Sequence, residues 1–227
     1  MFNKLTSILI LFSLFLIAPF TFAGYGQTLC KSPQYTCVRV HGGQSWDSLF
    51  PDSEMRLLVK KVNRMNTPVH AGMVIAVPKN LGSVNALDLA PFPHHVDGDG
   101  TNFVQVNLGK LAWGAYDADG NLVNWGPASG GKSYCPDIHR GCRTPAGSYT
   151  VFDKQGPDCI SHVFPIPHGG APMPYCMHFH GGYALHGSPT VPGFNASHGC
   201  VRLFVEDAEW LNHEFVELDS TRVHISY

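Results

Sequence analysis

The chain has 227 residues, and its 15 lysines and arginines nearly balance 17 aspartates and glutamates, for a net charge of −2. That balance excludes a protein drawn to nucleic acid by charge. The length suits one medium domain and a small one, and seven cysteines with 13 histidines direct attention to disulfide, thiol and imidazole chemistry.

Residues 1–23 read as a secretory signal peptide. Lys4 makes the start positive, residues 8–20 form an apolar run too short for a comfortable membrane span, and Thr21-Phe22-Ala23 sets up cleavage after Ala23. Export to the periplasm is expected, with no stable membrane insertion after cleavage. Cys30 follows Leu29 rather than the small residue of a lipoprotein site, so no lipid anchor is expected. Residues 24–35 make an N-terminal segment. In an oxidising compartment near neighbours are disulfide candidates, namely Cys30–Cys37, Cys135–Cys142 and Cys159–Cys176. Each clips a loop and contributes about 2–4 kcal/mol if unstrained. Cys200 is then left over, as an intermolecular linker or a reactive thiol.

Residues 36–79 form a compact α+β unit. A strand begins at Cys37, and Ser45 caps a short helix carrying Trp46, Leu49 and Phe50. Asp52 or Ser53 caps a second helix, on which Met55, Leu58, Val59, Val62 and Met65 fall at helical spacing. Asn66-Thr67-Pro68 ends it, and a strand over 74–77 closes the unit. This order resembles a LysM module, a small fold that grips glycan containing N-acetylglucosamine. The turn HGGQSWDSL, Asn66 and the ending AGMVIAVP carry the likeness. A generic α+β cap is the other reading. Residues 80–101, rich in Gly, Pro and Asp, read as a linker.

From 102 to 227 the pattern is mostly β. Val104, Val106 and Leu108 alternate, as do Leu111, Trp113 and Ala115, and Asp119-Gly120 turns into Leu122, Val123 and Trp125. Further strands are expected over 148–153 and 221–227. One late helix, 205–215, presents Val205, Ala208, Leu211 and Phe215 on one face, with Glu206 and Asp207 in its first turn. Sandwich and barrel are both compatible with this pattern. Trp46, Phe50 and Trp113 read as core, and Asp137, Arg140 and Arg143 as a solvated loop.

The stretch MPYCMHFHGGYALHGSPTVPGFNASHGCVRL, residues 173–203, concentrates the chemistry. A thiol nucleophile needs a base, a group that orients the base, and donors aimed at the oxyanion. His186 follows the strand-like Tyr183-Ala184-Leu185, and GSPTVPGFNAS can turn it back toward Cys200. Gly199 frees the backbone amides of His198, Gly199 and Cys200 to point at one spot. HGSPTVPGFNASHGCVRL resembles the active-site motif of the YkuD family of L,D-transpeptidases, and the TPAG turn at residues 144–147 resembles a further family element.

The resemblance implies a YkuD-like β-sandwich or barrel with Cys200 as nucleophile and His186 as base. It implies the carbonyl of Gly187, or of Ser188, as the orienting group, and His198 and Gly199 as oxyanion backbone. Arg202, Ser188, Tyr183 and His178 are expected to border the substrate. The short span from His186 to Cys200 and the six paired cysteines depart from several family members.

The implied reaction is acyl transfer in peptidoglycan. Cys200 attacks the carbonyl of the position-three diamino acid in a tetrapeptide stem, D-alanine leaves, and an amine resolves the thioester. Partners would be stem peptides and glycan, with a wall-anchored lipoprotein as one candidate acceptor. No cofactor is expected. With water as acceptor the enzyme would be an L,D-carboxypeptidase. Two readings of other classes remain: zinc held by His178, His180 and His186, and a non-catalytic wall-binding protein.

Overall fold

The structure, a computed structural model, describes residues 24–227; the signal-peptide expectation for residues 1–23 lies outside the described residues. Among the described residues no helix is long and apolar enough to cross a membrane.

The N-terminal part opens with helix α1 (Tyr25–Leu29) and strand β1 (Tyr35–Arg39). Cys30, at the end of α1, is disulfide-bonded to Cys37 in β1. Helices α2 (Trp46–Leu49) and α3 (Ser53–Val62) follow, then β2 (Val74–Pro78). Ser45 caps α2 in a reciprocal capping box with Ser48, and Asp52 caps α3 through the Met55 N–H. β1 and β2 pair antiparallel from Tyr35↔Pro78 to Arg39↔Val74. Val40, Trp46, Val59, Met65 and Ile75 form the core beneath them. The helix stops at Val62 rather than at Asn66, because buried Asn63 turns inward: its Nδ2 donates to the carbonyls of Val59 and Ala76, and its Oδ1 accepts the Ala76 N–H. Within residues 80–101 lies one short 3₁₀ turn, Ala86–Leu89.

Strands β3 (Phe103–Asn107), β4 (Ala112–Tyr116), β5 (Leu122–Pro127), β6 (Gly147–Thr150), β7 (Asp153–Lys154), β8 (Met177–His180), β9 (Tyr183–Gly187) and β10 (Val201–Leu203) come next. Helix α4 (Val205–Trp210) continues into a π-helical turn over Leu211–Phe215, and β11 (Arg222–Ser226) ends the chain. They form a five-stranded sheet, β5-β4-β3-β11-β6, and a four-stranded sheet, β10-β9-β8-β7. The fold is thus a mostly β sandwich with one late helix. The inner faces meet in one core: Val104, Val106, Trp113, Val223 and Ile225 from the larger sheet, Met177, Phe179, Leu185, Val201 and Leu203 from the smaller. Ala208, Leu211 and Phe215 of the late helix seal it. The strand expected over 148–153 is in fact two. β6 pairs with β11 and β7 with β8, so the chain changes sheets at Val151-Phe152.

The N-terminal part sits directly on the sandwich. Trp125 of β5 packs with Val62 and Ala76. Lys61 Nζ lies 2.7 Å from the Asp207 carboxylate and donates to the Trp125 carbonyl. Arg64, also buried, donates to the Lys110 carbonyl and lies over the Trp125 ring.

Candidate active site

His186 lies on β9, and Cys200 immediately precedes β10. The two strands run parallel, with Val201 opposite Leu185, Arg202 opposite His186 and Leu203 opposite Gly187. Leu185, Val201 and Leu203 point into the sandwich core. Alternation along a strand therefore turns Ala184, His186, Cys200 and Arg202 to the other face. There Cys200 packs against a small cluster of Cys159, Met173, Cys176 and Ala184. The Cys159–Cys176 disulfide is part of the wall beside the thiol.

His186 is only 6% exposed. Its Nδ1 lies 2.9 Å from the Gly187 carbonyl. A carbonyl only accepts, so Nδ1 carries the proton and Nε2 keeps a free lone pair. Burial pushes the imidazole down to about 4; the Gly187 bond opposes this, and the charges of Arg202 and His178 add to it. Burial also pushes the Cys200 thiol up, against the Ala184 N–H and the Arg202 guanidinium. At neutral pH the resting pair is a neutral thiol and a neutral imidazole. The thiol proton is the one free to move once a substrate supplies a place for the charge.

The loop carrying Cys200 is fixed by its neighbours. Buried Ser197 donates from its hydroxyl to the Cys200 carbonyl and accepts the Gly199 N–H at 3.0 Å. Thr144 of the TPAG turn donates to the Gly199 carbonyl at 2.6 Å and accepts the Gly131 N–H. Gly199 has φ +134°, and a Cβ there would lie 2.6 Å from the Tyr183 ring, so only glycine fits. The expected oxyanion set is corrected in one member. The Gly199 N–H is taken by Ser197, leaving the His198 and Cys200 amides without a hydrogen bond among the described residues. Sequence reasoning gave no role to Thr144, Ser197 or Asn195, whose carboxamide links Gly130 N–H to the Leu108 carbonyl. The Thr-Pro-x-Gly turn was the signal for the first.

The other expected residues are distributed as follows. Gly187, rather than Ser188, supplies the carbonyl next to His186. Ser188 is buried, its hydroxyl pairs with Thr190 and its carbonyl accepts from Asn66. Arg202 reaches the Thr190 carbonyl. Tyr183 lies against Gly199 and stacks with His180. His178 Nδ1 lies 3.1 Å from Asp153. His198 Nε2 lies 2.7 Å from Asp137 and its ring stacks 4.5 Å from Phe164; Asp137 is exposed, as a residue of a solvated loop should be, and also carries this contact.

The zinc reading is overturned. His178, His180 and His186 do not converge; among the described residues the sole candidate group is Cys135, Asp137 and His198, and Cys135 is disulfide-bonded. All three expected disulfides are present, and Cys200 is free.

A two-sheet domain that sets a free thiol, a buried imidazole and a guanidinium on one strand face has the makings of a thiol acyl-transfer enzyme. The sequence model of the YkuD family, the L,D-transpeptidase catalytic domain, matches residues 101–225, and the chain belongs to that family. Among solved structures it is 25% identical to the L,D-transpeptidase of Xylanimonas cellulosilytica, with a TM-score of 0.54 over 74% of this chain and 77% of that one. An L,D-transpeptidase from Stackebrandtia nassauensis is 21% identical, with a TM-score of 0.46 over 59% of this chain and 58% of that one. One from Mycobacterium tuberculosis H37Rv is 19% identical, with a TM-score of 0.44 over 70% and 74%. No curated protein matches the chain.

Proposed function

We propose that the protein is a cysteine-dependent L,D-transpeptidase of peptidoglycan. The Nδ1 bond from His186 to the Gly187 carbonyl carries this reading, because it leaves Nε2 as a base on the face that Cys200 shares. Nε2 takes the thiol proton as sulfur attacks the carbonyl of the diamino acid at position three of a tetrapeptide stem. The His198 and Cys200 amides are the donors for the oxyanion. As the tetrahedral centre collapses, the C–N bond to D-alanine breaks and the imidazolium returns the proton to the leaving amine. A thioester remains on Cys200. An acceptor amine, from a second stem or from a lysine of a wall-anchored lipoprotein, attacks it, loses its proton to His186 and restores the thiol. Water in place of the amine gives carboxypeptidase activity. The N-terminal strand-helix-helix-strand unit is proposed as LysM-like and directed to glycan, in an exported, periplasmic protein.

Purified protein incubated with a disaccharide-tetrapeptide is expected to release D-alanine, and the Cys200→Ala variant none. An added amine should divert product from hydrolysis to transfer. Equal D-alanine release by the Cys200→Ala variant contradicts a thiol mechanism. Glycan binding with no release by folded wild type favours the non-catalytic wall-binding reading.

A further inference from the structure

The segment between His186 and Cys200 is gripped by the N-terminal unit. Asn66 Nδ2 donates to the Ser188 carbonyl at 2.9 Å, its Oδ1 accepts the Val191 N–H at 2.8 Å, and its own N–H donates to the Val191 carbonyl at 3.0 Å. Met65 bridges Pro192 beside it.

Two of the peptide planes in this segment point at the site. A peptide is planar, so fixing its N–H fixes its carbonyl. The Val191 N–H held by Asn66 belongs to the plane of the Thr190 carbonyl, which accepts Arg202 Nη1 at 3.4 Å. The Ser188 N–H donates to the Leu203 carbonyl and belongs to the plane of the Gly187 carbonyl, the one that holds His186 Nδ1. Asn66 holds that same Ser188 from its other side.

We propose that Asn66 is a positioning residue for the acyl-transfer centre, fixing the 187–191 segment, whose Gly187 carbonyl orients His186 and whose Thr190 carbonyl orients Arg202. The N-terminal unit is then a working part of the catalytic site and not only a wall-targeting arm. The inference rests on the function proposed above for its kinetic consequence, and on the contacts alone for its effect on the thiol. Arg202 from β10 acts on both Cys200 and His186, and His178 from β8 acts on His186. If Arg202 loses its anchor, less positive charge bears on the sulfur.

The test is the pH dependence of Cys200 alkylation by iodoacetamide in wild type, Asn66→Ala, Arg202→Gln and the double variant, beside kcat and KM for D-alanine release. Asn66→Ala should move the alkylation midpoint to higher pH, and this shift should vanish in the Arg202→Gln background. It should lower kcat by roughly 10–100-fold at nearly constant KM, as a misplacement near 1 Å does. Asn66→Ser, polar but too short to bridge both peptides, is read in the same assays if the alanine variant does not fold. A cooperatively folded variant with unchanged alkylation profile and kcat overturns the proposal. Wild type that releases no D-alanine, with the alkylation shift present, refutes the enzymatic reading and leaves the positioning role standing.

Discussion

The protonation of two side chains decides how this site works. His186 is buried and held by the Gly187 carbonyl, and it stays neutral down to about pH 4 instead of its ordinary 6.5. Cys200 is held above the usual thiol range by its own burial. A base is useful only while unprotonated, so the acidic limb of kcat/KM should fall near pH 4 and not near 6.5. Activity should therefore persist at pH 5.5, where an unperturbed histidine is mostly cationic; half-loss near pH 6.5 in the pH–rate profile would contradict this. The sign for stability is the same. Between about 6.5 and 4 the unfolded chain binds a proton that the native imidazole refuses, so His186 makes the fold less stable as pH falls through that window. In the proposed mechanism truncation of His186 removes both base and acid, and it should lower the rate about 10²–10⁴-fold.

At the scale of elements, the reactive loop is a short segment held by three others. Thr144 and Ser197 tie its carbonyls, and the Cys135–Cys142 disulfide packs its sulfurs near the Ser197 carbonyl while its loop delivers Asp137 to His198. Replacing Cys135 and Cys142 together by serine should lower stability by about 2–4 kcal/mol. It should also lower the D-alanine release rate at a temperature where the variant is fully folded. Denaturant unfolding and single-turnover kinetics read the two effects separately; unchanged kinetics would mean that the loop only staples.

Much at this scale was legible in advance. Alternation in Val104-x-Val106-x-Leu108, the Asp119-Gly120 turn and the helical spacing from Val205 to Phe215 are local patterns, and the matching elements formed. The cysteines nearest in sequence did pair. What escaped is what depends on distant partners. Residues 148–153 read as one strand, yet the strand divides because its two ends meet different sheets. The Gly199 amide was assigned to the oxyanion because nothing local announces that the Ser197 hydroxyl will take it. His178, His180 and His186 share an alternating pattern, but the partners of the first two, Asp153 and Tyr149, lie on other strands.

At the scale of the whole molecule, the N-terminal unit and the sandwich share a buried ion pair. Asp207 is pushed up to about 6 by burial, with Lys61 opposing the shift. Removing one partner of such a pair leaves an uncompensated buried charge. Lys61→Met should therefore lower stability by about 3 kcal/mol at pH 8, the low end of the range because Lys61 keeps some solvent contact. The loss should shrink as pH falls toward 6, because Asp207 without the ammonium takes up its proton at higher pH than in wild type, and it should stay small below 6. Chemical denaturation of both proteins at pH 8 and pH 5 gives the comparison; a pH-independent difference would assign the loss to packing instead. The same interface brings Asn66 to the catalytic loop, so undocking the unit should disturb catalysis as well as stability.

The most direct measurement is intact-protein mass spectrometry of wild type and Cys200→Ala during turnover of a disaccharide-tetrapeptide. The account predicts a transient adduct on wild type, equal to the stem less D-alanine and localised to Cys200, and none on the variant. Released D-alanine without an adduct at any time point, or an adduct that persists in Cys200→Ala, would contradict a thioester on this cysteine.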